Sequence, residues 1–372
     1  MTLTATEKSY IWLNSFPLTE GEKRKLLALA EDAVALVRNF PTFQSEMIKF
    51  GKESVYNNMQ ATLSDGGKYF SKLVDRLEKE GITPVVFQSD EYPNELKTLL
   101  SDPPLVLYAK GDISLLKTRK FTVVGSRQTT PAAVKIGRKI SQTLSNRFTL
   151  ITGTADGGDS AAIEGGLTVG KIIAVAAGGL DVCLQSGQPL LSEVAKKGLL
   201  LSPYPLSTPV RTFSYEYRNK ILAALGEGTL VLGAGEKSGA LTTAKYAKEF
   251  QKKLFALPYA PGTYAGAGCN ALIKQGATLT ESAEDVFSQF GEETLPFSEG
   301  ETPFNAARSK PAQALTADEE KVLQALRGLG ETHLSALLEN VALPVYKLTA
   351  ILSSLEVKGL ATKLGGNRYA PL

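Results

Sequence analysis

The sequence predicts an α/β protein: a doubly wound parallel sheet, preceded by a helical N-terminal domain and followed by a small domain with the element order of a winged helix. Three observations predict it. From Lys120 to about Gln289, short apolar runs alternate with segments of helical spacing, the pattern of a parallel sheet covered on both faces. Up to about Glu80 the apolar residues recur at helical spacing only. After Leu315 come segments for three helices and a hairpin.

The N-terminal part, residues 1–110, opens with Met1 to Phe16, mixed polar and aromatic, without the basic-then-apolar layout of a signal peptide. Glu20 to Val37 carries apolar positions at helical spacing, and Phe70 to Leu77 repeats the pattern. A helical domain is expected, followed by a connector. That connector holds a strand at Thr83–Phe87, then Glu91-Tyr92-Pro93 and a Pro103-Pro104 turn into Leu105–Tyr108.

Residues 111–290 are expected to form the sheet domain. Its strands are placed at Phe121–Val124, Thr149–Ile151, Ile172–Ala177, Leu199–Leu201, Thr229–Leu232 and Leu254–Leu257, each followed by a glycine, proline or turn cluster. Such a Rossmann-like sheet binds ligands outside the carboxyl ends of its strands, where these glycines fall. Gly291 to Gln313, polar and with three prolines, reads as a linker. In residues 314–372, Thr316 caps a helix through Arg327 that Gly328 ends. Glu331–Asn340 and Val345–Lys358 are two more helices, and Leu360–Tyr369 a hairpin turning at Gly365-Gly366.

Four motifs carry candidate chemistry. Gly125-Ser126-Arg127, after a strand and before a Thr130-capped helix with Pro131 at its first position, offers backbone N–H groups, a hydroxyl and a guanidinium at a helix N-terminus. The same residues also suit a tight turn with a solvated arginine. Gly153, Gly157 and Asp159, in a glycine-rich loop, and Gly178-Gly179 after the next strand extend the groove along that edge. Arg218, Asn219 and Lys220, read as opening a helix and flanked by Phe213, Tyr215 and Tyr217, make a basic patch with aromatics of the kind single strands favour. Solvated cations on a first turn, with the tyrosines packed, are the other reading. Ser238, Gly239 and Thr242 sit at a strand-to-helix turn, where ordinary capping is the plain reading.

Other chemistries lack their residues. The single histidine, His333, falls in the terminal domain on an expected helix, so no Ser-His-Asp or Cys-His set can form in the sheet domain. Cys183 and Cys269 lack metal-ligand spacing, and no cofactor or metal is expected. The order of the glycines meets neither the dinucleotide fingerprint nor the Walker A loop. A net charge of +3, from 41 basic and 38 acidic residues, requires that any nucleic-acid site be local. No apolar run is long enough to span a bilayer, so a cytoplasmic protein is expected.

Taken in order, these segments resemble the DNA processing protein A (DprA/Smf) family. The resemblance runs through Tyr92-Pro93, Asp102-Pro103-Pro104 and Lys110-Gly111, Gly125-Ser126-Arg127, Gly157-x-Asp159 and Gly178-Gly179-Leu180-Asp181. It continues through Arg218-Asn219-Lys220-Ile221, Ser238-Gly239-Ala240-Leu241-Thr242-Thr243-Ala244, Ala256-Leu257-Pro258, Gly268-Cys269-Asn270-Ala271-Leu272-Ile273 and Gly276-Ala277. It implies a non-enzymatic protein that binds single-stranded DNA, often as a homodimer, displaces single-strand-binding protein and hands the strand to the RecA recombinase in natural transformation. It also implies phosphate contacts from Gly125, Ser126 and Arg127, with Arg218, Asn219 and Lys220 bordering the groove, Gly239 and Thr242 closing its floor, and Asn270 within it. Ile163, Cys183-Leu184, Gln185 and Pro203 depart from the family pattern, in which a histidine, an aromatic–proline pair, a basic residue and a glutamate are usual. A nucleotide-derivative sensor of the same fold is the alternative. With few cations after Leu315, and none clustered on the third helix, the terminal domain is not expected to read duplex DNA and could serve as a protein-interaction module.

Overall fold

The computed structural model describes residues 3–185, 189–291, 315–341, 343–358, 360–364 and 368–371. The expected linker beyond Gly291 and the hairpin turn at Gly365-Gly366 lie outside these. Nine strands form the main sheet: β1 (Thr83–Val86), β2 (Val106–Gly111), β3 (Lys120–Val124), β4 (Thr149–Thr152), β5 (Ile172–Val175), β6 (Leu199–Ser202), β7 (Gly228–Val231), β8 (Lys253–Ala256) and β9 (Thr278–Leu279). Their order is β1-β2-β6-β5-β4-β3-β7-β8-β9. From β6 to β9 every pairing is parallel, whereas β1, β2 and β6 pair antiparallel.

The chain steps outward from β3 to β6, then returns to the other side of β3 with β7. The order therefore reverses between β3 and β7, and the crevice beyond their carboxyl ends is where such sheets bind ligands. The central strands are buried along their whole length, which is why they read as mostly apolar runs rather than apolar–polar alternation.

Residues 1–292 form one compact unit. The helices before β1 share its core: Ala5–Asn14 buries Trp12, Ile11 and Leu13 in the cluster that contains Phe121, Leu150 and Ile172 from the sheet. The stretch expected to be one helix, Glu20 to Val37, is two, Glu20–Ala28 and Ala33–Arg38, because Asp32 turns extended and accepts from the Ala35 N–H to cap the second. The other face of the sheet is covered by helices Asn94–Leu99, Thr212–Leu225, Gly239–Glu249 and Ala267–Lys274.

The second unit has its own core, built on Val322, Leu326, Leu337, Leu352 and Leu355. Thr316 caps Ala317–Leu329 through a box with Glu319, and Gly330, not Gly328, ends that helix. The second expected helix begins later: Thr332–His333 is a short strand, β10, so His333 is not helical, and the helix is Leu334–Val341. Val345–Val357 follows, then β11 (Ala361–Leu364) and β12 (Arg368–Pro371), with sheet order β10-β12-β11. This is the winged-helix order. Among the described residues no single helix is long and apolar enough to cross a membrane.

Candidate nucleic-acid interface at the switch point

Beyond the carboxyl ends of β3 and β7 the surface opens into a cavity of about 490 Å³, within the range of small-molecule sites. Its walls are the turn after β3 (Val124 to Gln128), Ala155 and Asp159 after β4, helix Thr212–Leu225 and the turn after β7 (Gly235 to Ala240). Tyr264 closes one side.

Of the residues singled out from the sequence, Gly125, Ser126, Arg127, Asp159, Arg218, Asn219, Ser238 and Gly239 come together here. Their roles differ from the expected backbone cradle. The N–H groups after β3 are already committed: Gly125 donates to Asp159 Oδ1 (3.1 Å), Ser126 to the Gly233 carbonyl (2.8 Å), Gln128 to Ser126 Oγ (3.1 Å) and Thr129 to the Ser126 carbonyl (3.1 Å). The glycines face one another rather than open space. Gly158 lies so close to Gly125 that a Cβ on either would strike the other's backbone, and Gly157, at φ +83°, packs beneath Ser126. What the turn presents outward is Arg127, exposed and without an ion-pair or hydrogen-bond partner among the described residues.

Arg218 is no solvated groove cation. It lies well inside helix Thr212–Leu225, not at its start, and is only 5% exposed. Its Nη1 donates to the Val175 carbonyl (3.0 Å), while Nε, also buried, has no partner. Opposite it stands Asp159, which also accepts from the Ala155 N–H (3.3 Å). Gly153 is the reason the two groups meet, for a Cβ there would land on both the Arg218 guanidinium and the Asp159 carboxylate. Burial pushes the Asp159 carboxyl up, while Arg218 and the Gly125 and Ala155 N–H groups pull it down. Burial also lowers Arg218, with Asp159 working against the shift. The two groups face each other across Gly153 beneath the β3 turn.

Asn219 Nδ2 donates to the Gly239 carbonyl (3.1 Å), tying helix Thr212–Leu225 to the turn after β7. Ser238 caps helix Gly239–Glu249 by accepting from the Ala240 N–H, and Gly239 has only open space where its Cβ would be, apart from Asn219 at 3.9 Å.

The structure does not bring the rest to the cavity. Lys220 lies over the Tyr246 ring, 5.7 Å from its centroid. Thr242 is displaced by Ala240 and Thr243, which share the cavity-facing side of the helix at i, i+3 spacing. Gly178 and Gly179 are pinned under the loop after β6, where Cβ atoms would meet Thr208, Val210, Pro205 and Ser207. Asn270 bonds the backbone of Tyr259 at both ends, 3.0 and 2.8 Å. The positions that depart from the family pattern, Ile163, Cys183 and Pro203, line no part of the cavity.

Sequence reasoning missed Lys237, Tyr264, Gln128 and Thr212 on the cavity wall. Lys237 immediately precedes the Ser238-Gly239 turn, which reads in the sequence as an ordinary cap. It is exposed, and like Arg127 it has no ion-pair partner among the described residues. Tyr264 had no local signal, since what places it is a contact with Gly235, whose Cβ would sit 3.0 Å from the ring. Tyr264 is 64% exposed and Tyr215 36%, so two aromatic faces stand beside two free cations. Among the described residues no cluster of His, Cys, Asp or Glu is arranged to hold a metal.

Fold and cavity together define a Rossmann-like protein with a cation- and tyrosine-lined pocket at its switch point. Residues 83–291 match the family described as DNA recombination-mediator protein A, and residues 306–367 match the DprA winged helix domain. The chain belongs to the DNA processing protein A (DprA/Smf) family. Among curated relatives, DNA processing protein DprA of Bacillus subtilis is 35% identical over 59% of this chain and 75% of its own length. Protein Smf of Synechocystis is 32% identical over 75% of this chain and 77% of its own. The crystal structure of DNA processing protein A from Streptococcus pneumoniae superposes with a TM-score of 0.65 at 28% identity, covering 78% of this chain and 99% of that one. A Helicobacter pylori structure, described in terms of its single-stranded DNA binding mode, matches with a TM-score of 0.51 at 28% identity over 56% of this chain and 95% of its own.

Proposed function

We propose that this protein binds single-stranded DNA at the switch-point pocket, with little discrimination among sequences and without catalysing a reaction on the strand. The observation that carries the reading is the convergence there of exposed Arg127 and Lys237 with the exposed rings of Tyr215 and Tyr264. Cations neutralise phosphates regardless of sequence, and aromatic faces accept any base. The single-stranded DNA binding mode described for the Helicobacter pylori relative supports the same ligand. Residues 111–290 would then be the binding domain, with 1–110 its helical flank, 291–313 a linker and 314–372 a separate winged-helix domain. Protection of incoming strands, displacement of single-strand-binding protein, delivery to the RecA recombinase and action as a homodimer in the cytoplasm complete the proposal, on the strength of family membership.

A second reading, a nucleotide-derivative sensor, rests on the size of the cavity, which is within the range of small-molecule sites. Fluorescence anisotropy of a labelled oligothymidine, at two salt concentrations, separates the two. Wild type should bind with strong salt dependence. Arg127→Ala should weaken binding at least about tenfold and flatten the slope of log affinity against log salt by about 0.7 for each phosphate that Arg127 neutralises. Unchanged binding by Arg127→Ala removes the pocket from the reading. No binding at low salt, together with tight binding of a mononucleotide, establishes the sensor instead.

A further inference from the structure

We propose that the strand leaving the switch-point pocket crosses to a second contact surface, the cationic face of helix Lys68–Lys79 in the N-terminal layer. The inference rests on the pocket reading and adds a path to it.

The helix is sharply two-sided. Tyr69, Phe70, Leu73, Val74 and Leu77 pack into the core. On the opposite side Lys68, Lys72, Arg76 and Lys79 recur at spacings of four, four and three residues, which lines them up on one face. Lys68, Lys72 and Lys79 are exposed and have no ion-pair partner among the described residues. Asp75 shares this face and Glu78 flanks it, and Arg76 is paired with Asp181, so the stripe's surplus charge rests on three lysines against two carboxylates.

Arg76 fixes where this face lies relative to the pocket. Its Nη2 pairs with Asp181 (2.7 Å), just past the Gly178-Gly179 turn at the carboxyl end of β5, and donates to Ser207 Oγ (2.6 Å). From Ser207 the chain runs along that edge to the pocket wall. The Gly179 N–H donates to the Thr208 carbonyl (2.9 Å), Val210 covers Gly178, and Thr212 already lines the cavity. Arg76's partner Ser207 and the pocket residue Thr212 are five positions apart, at most about 17 Å of chain. Along this segment Pro209, Val210, Arg211 and Phe213 are exposed, Phe213 by 65%, and no carboxylate occurs between Pro203 and Phe213. Lys72 and Lys68 then extend the surface one and two helical turns beyond Arg76, about 6 and 12 Å. An apolar and cationic track, with no acid in its connecting segment, thus joins the pocket to the stripe. A phosphate backbone complements it in charge, and the exposed Phe213 ring gives a base a face to stack on.

The test compares a short labelled oligothymidine, about five nucleotides, with one of about twenty, using the full chain. In Lys68→Ala/Lys72→Ala the long strand should bind several-fold more weakly, with the salt slope reduced by about 1.4, while the short strand binds as to wild type. Arg127→Ala should weaken both lengths. An unchanged long-strand affinity, or an equal loss at both lengths, overturns the path. Wild type that binds neither length overturns the pocket reading itself. As a second measurement, a photoreactive thymidine placed near one end of the long strand should crosslink to the peptide containing Lys68 and Lys72 while the pocket is filled. Crosslinks confined to pocket residues also overturn the proposal.

Discussion

At the scale of single residues, the motif around Arg127 and the arginine of the Arg218-Asn219-Lys220 run looked alike in the sequence, as cations near a sheet edge. The structure separates them by burial. Arg127 stands free at the pocket mouth, whereas Arg218 is buried against Asp159 and the Val175 carbonyl. Sequence could place both residues near the carboxyl edge, because strand and turn positions follow from local pattern. It could not say which cation faces water, since that depends on Gly153 making room for a contact across β4 and helix Thr212–Leu225. The distinction predicts opposite phenotypes. Asp159→Asn alters the carboxylate that faces the buried Arg218 guanidinium and accepts from the Gly125 and Ala155 N–H groups, and should destabilise the protein by about 1–3 kcal/mol. Arg127→Ala, at an exposed position, should stay within about 0.5 kcal/mol of wild type. Urea unfolding of the two variants measures this directly. Comparable stability losses would show that the contacts of Asp159 contribute no more than the exposed Arg127 does.

At the scale of elements, the central parallel strands were legible because they are buried and short apolar runs have few other uses, and the bounds of the strands expected fall within a residue or two of those found. The helices were legible where a cap stood in the sequence, as at Thr130 and Thr316, and blurred where two followed in phase, as between Glu20 and Arg38. Strand β9 was missed, being only Thr278 and Leu279 with neither residue buried. In the winged-helix unit the cap of the first helix does more than the sequence suggested. Glu319, 5% exposed, closes the capping box and also binds Lys358 Nζ (2.7 and 2.8 Å) and Ser354 Oγ (2.6 Å) from the third helix. The Lys358 ammonium, with Ser354 and the Thr316 N–H, holds its carboxyl down at about 2. A carboxylate depressed in the folded state contributes stability that is complete above its unfolded pKa, near 4.3, and is lost as pH falls toward the folded value. Hydrogen-exchange protection of helix Ala317–Leu329 should therefore weaken between about pH 4.5 and 2. Glu319→Gln should show weaker protection at pH 7 and lose this part of the pH dependence. A variant with the wild-type acid profile would assign the transition to other groups.

At the scale of the whole molecule, parallel sheet and flanking helices could be read from pattern, but strand order could not, because pairing partners are set by long-range packing. The order matters most, since it is the reversal between β3 and β7 that brings two distant turns together into one pocket. The same packing makes the helices before β1 part of the sheet's core. Trp12, the only tryptophan, is fully buried, with Phe40 at 5.1 Å and Phe16 at 5.4 Å edge-on, and its indole N–H donates to Thr62 Oγ1 (2.9 Å). A layer that shares its apolar contacts with the sheet cannot open without exposing the sheet's face, so residues 1–292 should unfold as one cooperative unit. Trp12 fluorescence and the exchange protection of β3 and β4 amides should then be lost at one urea concentration, even though the fluorophore and the strands lie in different layers. Trp12→Ala should cost about 3–5 kcal/mol and lower the midpoint of the strand amides with it. An early fluorescence transition, with β3 and β4 still protected, would instead make the N-terminal layer an independently folding part, despite the Asn14–Tyr108, Glu20–Leu105 and Arg76–Asp181 contacts that tie it to the sheet.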